Sequence, residues 1–277
     1  MAGRIEQKLL ALVRETSSSL SEDVVSALRR AARREARGSS ARVVLETILA
    51  NVAQARATRV PLCQDTGTLT FYVDAALRRK VTPGHIRAAV AEATRQGFLR
   101  KNCLDALDGH SYDDNCAEGA PAIHYVEDRA GVTLLMKGGG SENMSRQYSL
   151  PDSALGAGRD LSGVRKCLLD AVVQALGYGC APGLLGVCIG GDRATGYEVA
   201  KEQLLRPLDD LSPDPRLARL EKQILREANT LGVGPMGLGG KTTLLGVKLA
   251  SRPRVPASFF VTVAYMCWAA RRRTVLI

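Results

Sequence analysis

A short segment near residue 65 places a thiol, an amide, a carboxylate and a hydroxyl next to one another. It reads Cys63-Gln64-Asp65-Thr66 and is closed by Gly67, just before an apolar run. A turn of small residues at this point would project its side chains from one loop, and loops of this kind often carry a protein's chemistry. The thiol suits a metal ligand or a catalytic group, and the carboxylate suits proton transfer. We therefore expect a functional site around Cys63 and Asp65.

Two further cysteines, Cys180 and Cys267, also lie in or beside turns or small-residue segments. Cys167 and Cys188 lie among apolar residues and are expected to be buried. No two cysteines have C-x-x-C spacing, which disfavours a zinc ribbon or a thioredoxin-like site. Three thiolates would suit an iron–sulfur cluster with one open iron, which can act as a Lewis acid on a substrate. The alternative is that three scattered cysteines share no role.

The composition is that of an ordinary folded protein. The chain has 277 residues, of which 45% are hydrophobic and 24% charged, enough for one large domain or two small ones. Residues 1–14 lack the apolar core of a signal peptide, and the apolar segment 255–270 is short for a membrane span. We expect a cytoplasmic protein with reduced thiols and no membrane association.

The formal net charge of +10 would suit an anionic partner such as nucleic acid. Most basic residues are spread along the chain, however, and the cluster Arg29–Arg37 contains no aromatic residue that could stack on a base. That cluster is most simply the solvated face of a helical region. The second cluster, Arg271–Arg273, is interpreted as a solvated tail in preference to a partner-facing surface. We expect no nucleic acid partner.

The pattern of apolar residues predicts a mixed α/β fold. We expect a single domain over residues 1–277, with a helical N-terminal part to about residue 58 and a sheet-and-helix catalytic part after it. Segments 122–125 and 132–136 are predicted as a strand pair, and Ser162 as the cap of a helix. The other predicted strands are 69–75, 244–249 and 258–267, and the other predicted helices after residue 58 are 82–96, 194–206 and 215–231. Residues 184–189 are predicted as a buried apolar segment inside a glycine-rich connection, 177–191.

Two glycine-rich segments could bring backbone N–H groups close to a ligand. The first, Lys137–Asn143, suits a carboxylate ligand or is a flexible loop, and composition does not separate these alternatives. The second, Gly234–Thr242, lacks the spacing of a P-loop and follows a predicted helix. It more simply lets the backbone approach a neighbouring chain or an anion.

Four segments of the chain occur together in one known family, and they follow the family's order along nearly the whole sequence. Each is weak alone, whereas the set is highly specific. The chain resembles the α subunit of the two-subunit iron–sulfur hydro-lyases, a family that comprises class I fumarases and L(+)-tartrate dehydratases. The segments are Cys63–Gly67, Lys137–Asn143, Gly179–Gly183 with Gly190-Gly191, and Gly234–Thr243.

The resemblance implies a [4Fe–4S] cluster held by three cysteines, with the fourth iron left open for a dicarboxylate substrate. The matching positions are Cys63 in the first segment, Cys180 in the third and Cys267 in a Tyr-Met-Cys-Trp sequence. The implied reaction is the reversible hydration of fumarate to L-malate. The alternative, L(+)-tartrate dehydratase, shares every segment.

The resemblance also assigns roles around the substrate. It implies that Gln64 and Asp65 contact the substrate and that Asp65 acts as the acid–base group. It further implies that Arg100 binds the substrate and that a backbone group near Gly139 contributes. A dianionic substrate needs a guanidinium group and backbone donors, which agrees with these residue types.

Some expectations concern what this chain lacks. The family takes further substrate-binding groups from a β domain, so the resemblance implies a β subunit, an α2β2 assembly and little turnover by this chain alone. Val255 stands where the family usually has a histidine, and the family's asparagine-rich stretch is altered at residues 111–115. These departures leave a non-catalytic cluster-binding paralogue as a second alternative. His110 and His124 are interpreted as structural.

Overall fold

The computed structural model describes residues 3–277, which form eight α-helices and eight β-strands. The described residues form two compact units. The first contains the segment that ends at Ser21, then Ala50–Gly139 and Arg271–Ile277, and the second contains Glu22–Leu49 and Gly140–Ala270. The helices are α1 (Arg4–Ser18), α2 (Glu22–Arg34), α3 (Ser40–Thr58), α4 (Pro83–Arg95), α5 (Gly139–Asn143), α6 (Leu161–Ala175), α7 (Arg193–Gln203) and α8 (Pro215–Ala228). The strands are β1 (Thr68–Asp74), β2 (Ala122–Val126), β3 (Val132–Lys137), β4 (Arg146–Ser149), β5 (Gly183–Gly190), β6 (Leu244–Arg252), β7 (Phe260–Met266) and β8 (Arg271–Val275).

The mixed α/β class and the helical N-terminal region predicted from the sequence are confirmed. Helices α1 to α3 occupy this region, and helical spacing brings Leu9, Leu12 and Val13 of α1 onto one buried face. The arginines of α2 are exposed, as expected for a solvated face. Helix α4 begins at Pro83 because the Thr82 hydroxyl accepts a hydrogen bond from a backbone N–H of the first turn.

The first unit is built on a four-stranded sheet in the order β2-β1-β3-β8. Strand β1 pairs parallel with β2 and antiparallel with β3, and β3 pairs antiparallel with β8. The prediction that β2 and β3 pair with each other is therefore wrong. The run Leu69–Val73 of β1 is fully buried, so it needs hydrogen-bond partners along both edges, and it takes them by lying between β2 and β3.

One face of this sheet packs against α1 and α4. Its core includes Phe71 and Leu134 from the sheet, Leu12 from α1, and Ile86 and Val90 from α4. These side chains are almost completely buried, so each contributes about 1.5–3 kcal/mol of apolar burial. The result is a rigid support for the loop before β1 and for the segment after β3.

The second unit contains a sheet in the order β4-β7-β5-β6. Strand β5 is buried along its whole length and pairs parallel with β6 and antiparallel with β7. Helices α6 and α8 pack on one face, whereas α7 packs on the other. Helix α6 is capped by Asp160, whose carboxylate accepts from Gly163 N at 2.7 Å, and the prediction of Ser162 as the cap is wrong. An ionised carboxylate is a stronger acceptor than a hydroxyl and takes the N-cap position.

Buried charges in the second unit are paired with one another. Glu221, only 3% exposed, accepts hydrogen bonds from Arg206 at 2.9 Å and from Leu249 N at 2.8 Å. Lys248 Nζ lies 2.7 Å from an oxygen of Asp210, which also binds Arg206. These contacts hold the connection after α7 against α8 and β6.

The prediction of a solvated tail at Arg271–Arg273 is wrong. The three arginines form strand β8, with Arg271 paired to Met136, and Arg271 and Arg272 are only 1% and 9% exposed. Pairing along the edge of β3 draws this basic segment into the first unit, because the ladder hydrogen bonds join backbone N–H and C=O groups, which the arginines have like other residues.

Among the described helices, none combines the length and the apolar composition that crossing a bilayer would need.

Candidate active site

The loop that carries Cys63 connects α3 to β1 in the first unit. Leu62 anchors it: its N–H donates to Ser17 O at 2.9 Å, and its carbonyl accepts from Asn51 Nδ2 at 3.0 Å. The Leu62 side chain is buried, whereas Cys63 is half-buried and Gln64 exposed. Because both the N–H and the carbonyl of Leu62 are hydrogen-bonded, Cys63 and Gln64 follow from a fixed point of the backbone.

The Asp65 carboxylate lies against the glycine-rich segment that follows β3. A Cβ on Gly138 would lie 2.8 Å from Asp65 Oδ2, and one on Gly139 would lie 3.9 Å from it. Gly67, with φ +74°, passes so close to Lys137 that any side chain there would overlap the Lys137 carbonyl. The missing side chains therefore let the two segments meet, which brings Asp65 together with Gly139.

The segment that carries Arg100 is tied to the same loop through Thr66. The Thr66 hydroxyl, fully buried, accepts from Arg100 N at 3.3 Å and lies 3.0 Å from the Asn102 amide group. Asn115 organises this segment: its amide oxygen accepts from Asn102 N and Cys103 N at 2.8 and 3.0 Å, and its Nδ2 donates to Arg100 O at 2.7 Å. The Arg100 side chain is exposed. Within the first unit, Gln64, Asp65, Arg100 and Gly139 thus lie on three connected segments.

Arg271 lies behind the Asp65 loop, a position that the sequence did not indicate. Its Nη2 donates to the Asp65 carbonyl oxygen at 2.7 Å. Its Nε and Nη1 are buried without a hydrogen-bond partner among residues 3–277. The one signal available in the sequence was the position of Arg271 four residues after Cys267.

In the second unit, the structure brings Cys180 and Cys267 onto adjacent loops. Trp268 N donates to Cys180 O at 3.2 Å, and Cys180 N donates to Gly177 O at 3.0 Å. The ring of Tyr265 fills the space beside the Cys180 loop, where a Cβ on Gly179 or Gly183 would overlap it. Tyr265 lies two residues before Cys267 and is only 1% exposed. It is a site residue that sequence reasoning missed.

Both cysteines lie within electrostatic range of the Tyr265 hydroxyl. Burial raises the pKa of Tyr265 far above its ordinary value, and negative charge on Cys267 and Cys180 raises it further. A tyrosine in this position stays protonated and neutral at any physiological pH. It can therefore pack beside two thiolates without adding a third negative charge.

The seven cysteines, all reduced thiols in residues 3–277, fall into two groups. Cys167 and Cys188 are fully buried, as predicted, and burial raises the pKa of their thiols to about 12 and about 11. Burial, with the charge of a nearby aspartate, also raises the pKa of Cys103 and, to about 11, that of Cys116. Because metal ligation requires a thiolate, these four are poor ligands.

The remaining three, Cys63, Cys180 and Cys267, are half-buried on loops, where a bound group could reach them. They are the cysteines that the resemblance selects as ligands. Half-exposed thiols, two of them on adjacent loops beside a neutral tyrosine, fit a thiolate-held metal–sulfur cluster.

A compact acidic set is fully explained by local structure. Side-chain ligand atoms of Asp105, Asp108 and His110 lie within 4.8 Å of one another. His110 Nδ1 lies 2.7 Å from Asp108, and Asp105 accepts from two backbone N–H groups and from Tyr112 at 3.0 Å. These bonds close an exposed turn, which agrees with the structural role predicted for His110. His124 stacks on Tyr72 with ring centroids 5.4 Å apart.

The second glycine-rich segment binds an anion that belongs to the protein itself. Lys241 N donates to both oxygens of the buried Glu35 carboxylate, at 2.9 and 3.0 Å. Gly234 N donates to the Thr243 hydroxyl at 3.2 Å. Because these N–H groups are already bonded, the segment holds α2 and its following turn within the second unit. A phosphate could bind here only by displacing the Glu35 carboxylate.

Val255 is 63% exposed on the connection between β6 and β7.

Comparison with known proteins assigns the chain. A profile of the family described as Fumarate hydratase (Fumerase) matches residues 6–276. A putative fumarate hydratase class I of Geobacillus stearothermophilus is 47% identical over 277 residues, which cover 97% of this chain and 54% of that protein. A putative L(+)-tartrate dehydratase subunit alpha of Methanocaldococcus jannaschii is 32% identical over 280 residues, which cover 97% and 96%. The L(+)-tartrate dehydratase subunit alpha of Escherichia coli K12 is 30% identical over 268 residues, which cover 94% and 86%.

These relatives are named as hydratases and dehydratases, which are hydro-lyases: enzymes that add water to a double bond or remove it to form one. The chain belongs to the fumarate hydratase (Fumerase) family. It spans about half the length of the Geobacillus relative and nearly all of the archaeal one.

Proposed function

We propose that the chain is the cluster-binding α subunit of a [4Fe–4S]-dependent hydro-lyase that reversibly hydrates fumarate to L-malate. The observation that carries this proposal is the Asp65 carboxylate, held against Gly138 and Gly139 within one unit that also contains Cys63 and Arg100. The 47% identity to a protein named as a class I fumarate hydratase supports the choice of substrate.

Three side chains would hold the cluster: Cys63, Cys180 and Cys267. When bound, the cluster supplies a Lewis acid at its open iron for the oxygen atoms of the substrate. The thiols that burial keeps protonated would take no part. The neutral, buried Tyr265 would fix the loops of Cys180 and Cys267.

The substrate groups are divided among the connected segments of the first unit. The exposed Arg100 guanidinium binds a carboxylate of the dianion, and the Gln64 amide orients it by hydrogen bonding. The backbone N–H of Gly139 donates to the same ligand. Asp65 takes a proton from the carbon next to the carboxylate in dehydration and returns it in hydration, through the oxygen that faces Gly138.

A partner is part of this proposal. Two relatives that match nearly all of this chain are named as alpha subunits, and the Geobacillus relative is about twice as long as the matched region. A β subunit would supply the remaining groups that bind the dicarboxylate, in an α2β2 enzyme of the cytoplasm.

The test is an anaerobic preparation of the chain with its β partner, followed by iron and sulfide determination, EPR spectroscopy and turnover assays. We expect a cluster whose EPR signal changes on addition of malate or fumarate. Asp65→Asn should keep the cluster spectrum and lower turnover by about 10²–10⁴-fold, the range typical of a lost acid–base group. Retained turnover in this variant would refute the role of Asp65, and a chain that binds no cluster would refute the whole proposal.

L(+)-tartrate dehydratase is the second candidate, because the alpha subunits that match this chain over most of their length carry that name. Comparing kcat/KM for fumarate and L(+)-tartrate in the same preparation decides between the two substrates. A third outcome, a normal cluster with no turnover of either substrate, would identify a non-catalytic paralogue. The exposed Val255 would then mark one of the changes that removed activity.

A further inference from the structure

Arg271 is a large, charged and almost completely buried side chain that has no ionic partner among residues 3–277. It is 1% exposed, and its single hydrogen bond goes from Nη2 to the neutral carbonyl of Asp65 at 2.7 Å. Its Nε and Nη1 have no partner among the described residues. Moving a guanidinium out of water costs several kcal/mol unless an anion and further hydrogen bonds compensate for it. An anion must therefore lie beside this guanidinium in the working state of the protein.

Arg273, on the same strand, has an ionic partner, although its Nε is also buried without a hydrogen-bond partner among residues 3–277. Arg273 lies two residues along β8 on the same face of the sheet, where Nη1 is 3.4 Å from a Glu15 oxygen and Nη2 donates to Ser19 at 2.9 Å. No carboxylate of residues 3–277 lies within 4 Å of the Arg271 guanidinium. The carboxylate of Asp65 is directed to Gly138, while Arg271 holds its carbonyl. The anion that compensates the two unpartnered nitrogens is therefore not part of the described chain.

We propose that Arg271 is the buried counter-ion of the metal–sulfur cluster, and that Nε and Nη1 donate hydrogen bonds to sulfur on the Cys63 side of it. This inference rests on the proposed function. The Asp65 carbonyl that Arg271 holds is two residues from Cys63, so the guanidinium lies at the base of the cysteine loop. Three thiolates give an oxidised cluster of this type a net negative charge, and sulfur accepts hydrogen bonds from N–H groups. Almost complete burial favours a resident group over a substrate that must enter and leave.

Two consequences follow for the working protein. A cation beside the cluster stabilises its reduced, more negative state, so Arg271 raises the reduction potential. The same hydrogen bonds hold the cluster in the protein. In the cluster-free chain the guanidinium has no anion, and it contributes little or nothing to folding stability.

The experiment compares wild type, Arg271→Met, Arg271→Lys and the control Arg273→Met, each as the full chain with and without reconstituted cluster. For Arg271→Met we expect a cluster-free protein at least as stable to urea as wild type, together with cluster loss about tenfold faster than wild type, on the scale of one hydrogen bond to a charged group. Its midpoint potential should be lower. Arg271→Lys should give intermediate values, because a lysine keeps the charge but not the planar fork of donors. Arg273→Met should lose some folding stability and keep wild-type cluster properties.

Each other outcome opposes the inference. Equal loss of stability in the cluster-free and cluster-bound Arg271→Met proteins would give the residue a structural role only. Normal cluster retention and potential, together with a raised KM when the variant is assayed with its β partner, would assign the guanidinium to the substrate. If Arg271→Met does not fold, a wild-type potential and retention in Arg271→Lys would still overturn the inference. Wild-type protein that binds no iron or sulfide would overturn the proposed function, and this inference with it, before any variant is compared.

Discussion

Replacing Gly138 by alanine tests how the fold places the Asp65 carboxylate. The φ angle of Gly138 lies outside the left-handed region, so alanine adopts its backbone conformation without strain. The three heavy atoms nearest to the new methyl group would all belong to the Asp65 carboxylate, with Oδ2 at 2.8 Å. The substitution therefore acts on the position of the carboxylate and leaves its chemistry unchanged.

The size of the effect follows from that distance. Ordinary contacts of a Cβ begin near 3.4 Å, so the Asp65 carboxylate must retreat by about 0.6 Å. A displacement of about 1 Å in a reacting group lowers rates by about 10²-fold, and we expect kcat to fall by about tenfold to a hundredfold. Because Asp65 is half-buried and can move, the cost in folding free energy should stay near 1 kcal/mol, the lower end for overpacking.

The assay is fumarate hydration by the cluster-loaded α/β enzyme, followed by the loss of fumarate absorbance and normalised to iron content. Gly140→Ala is the matched control, since its Cβ would meet nothing nearer than the Tyr178 carbonyl at 3.9 Å, an ordinary contact. Wild-type kcat in Gly138→Ala would refute the reasoning. A loss of activity in proportion to lost cluster would also refute it, because the displaced carboxylate would then not be the cause.

Two further predictions concern the second unit. Tyr265→Ala should lower the free energy of unfolding by about 3–5 kcal/mol, the cost of emptying a buried aromatic site, and should abolish cluster binding. Tyr265→Phe keeps the ring against the cysteine loops. In paired assays we therefore expect an iron content near that of wild type in the phenylalanine variant and no iron in the alanine variant. Equal iron content in the two variants would contradict this prediction. Burial acts to raise the pKa of Asp210, but hydrogen bonds from Arg206 and Lys248 outweigh it and hold the pKa below the ordinary 3.8. The ion pairs then stabilise the fold above pH 3.8, and this contribution disappears as the pH falls through the folded-state pKa of Asp210. In urea unfolding between pH 5 and 2, Asp210→Asn should lose less stability than wild type. A pH profile identical to that of wild type would contradict the assignment.

Local sequence patterns predicted most of the elements of this fold. Helical spacing of apolar residues located the N-terminal helices, and Thr82 with Pro83 located the start of α4. Which strands pair with each other was harder to predict from the sequence than where the helices and strands lie. The short connection between β2 and β3 suggested a hairpin, but β1 lies between them, because the partner of a strand is set by burial of the whole sheet and not by chain proximity.

The family and the residue types of the site can be read from the amino-acid sequence, since the ordered motifs around Cys63, Gly139 and Cys180 are short local segments. The sequence could not determine the roles of Asn115, Tyr265 and Arg271, which act through contacts between distant segments. An arginine in a basic cluster is usually solvated, and only pairing of β8 with β3 brings Arg271 to the carbonyl of Asp65. Sequence fixes which chemical groups are available, whereas burial and backbone approach decide which of them meet, because both depend on residues far apart along the chain.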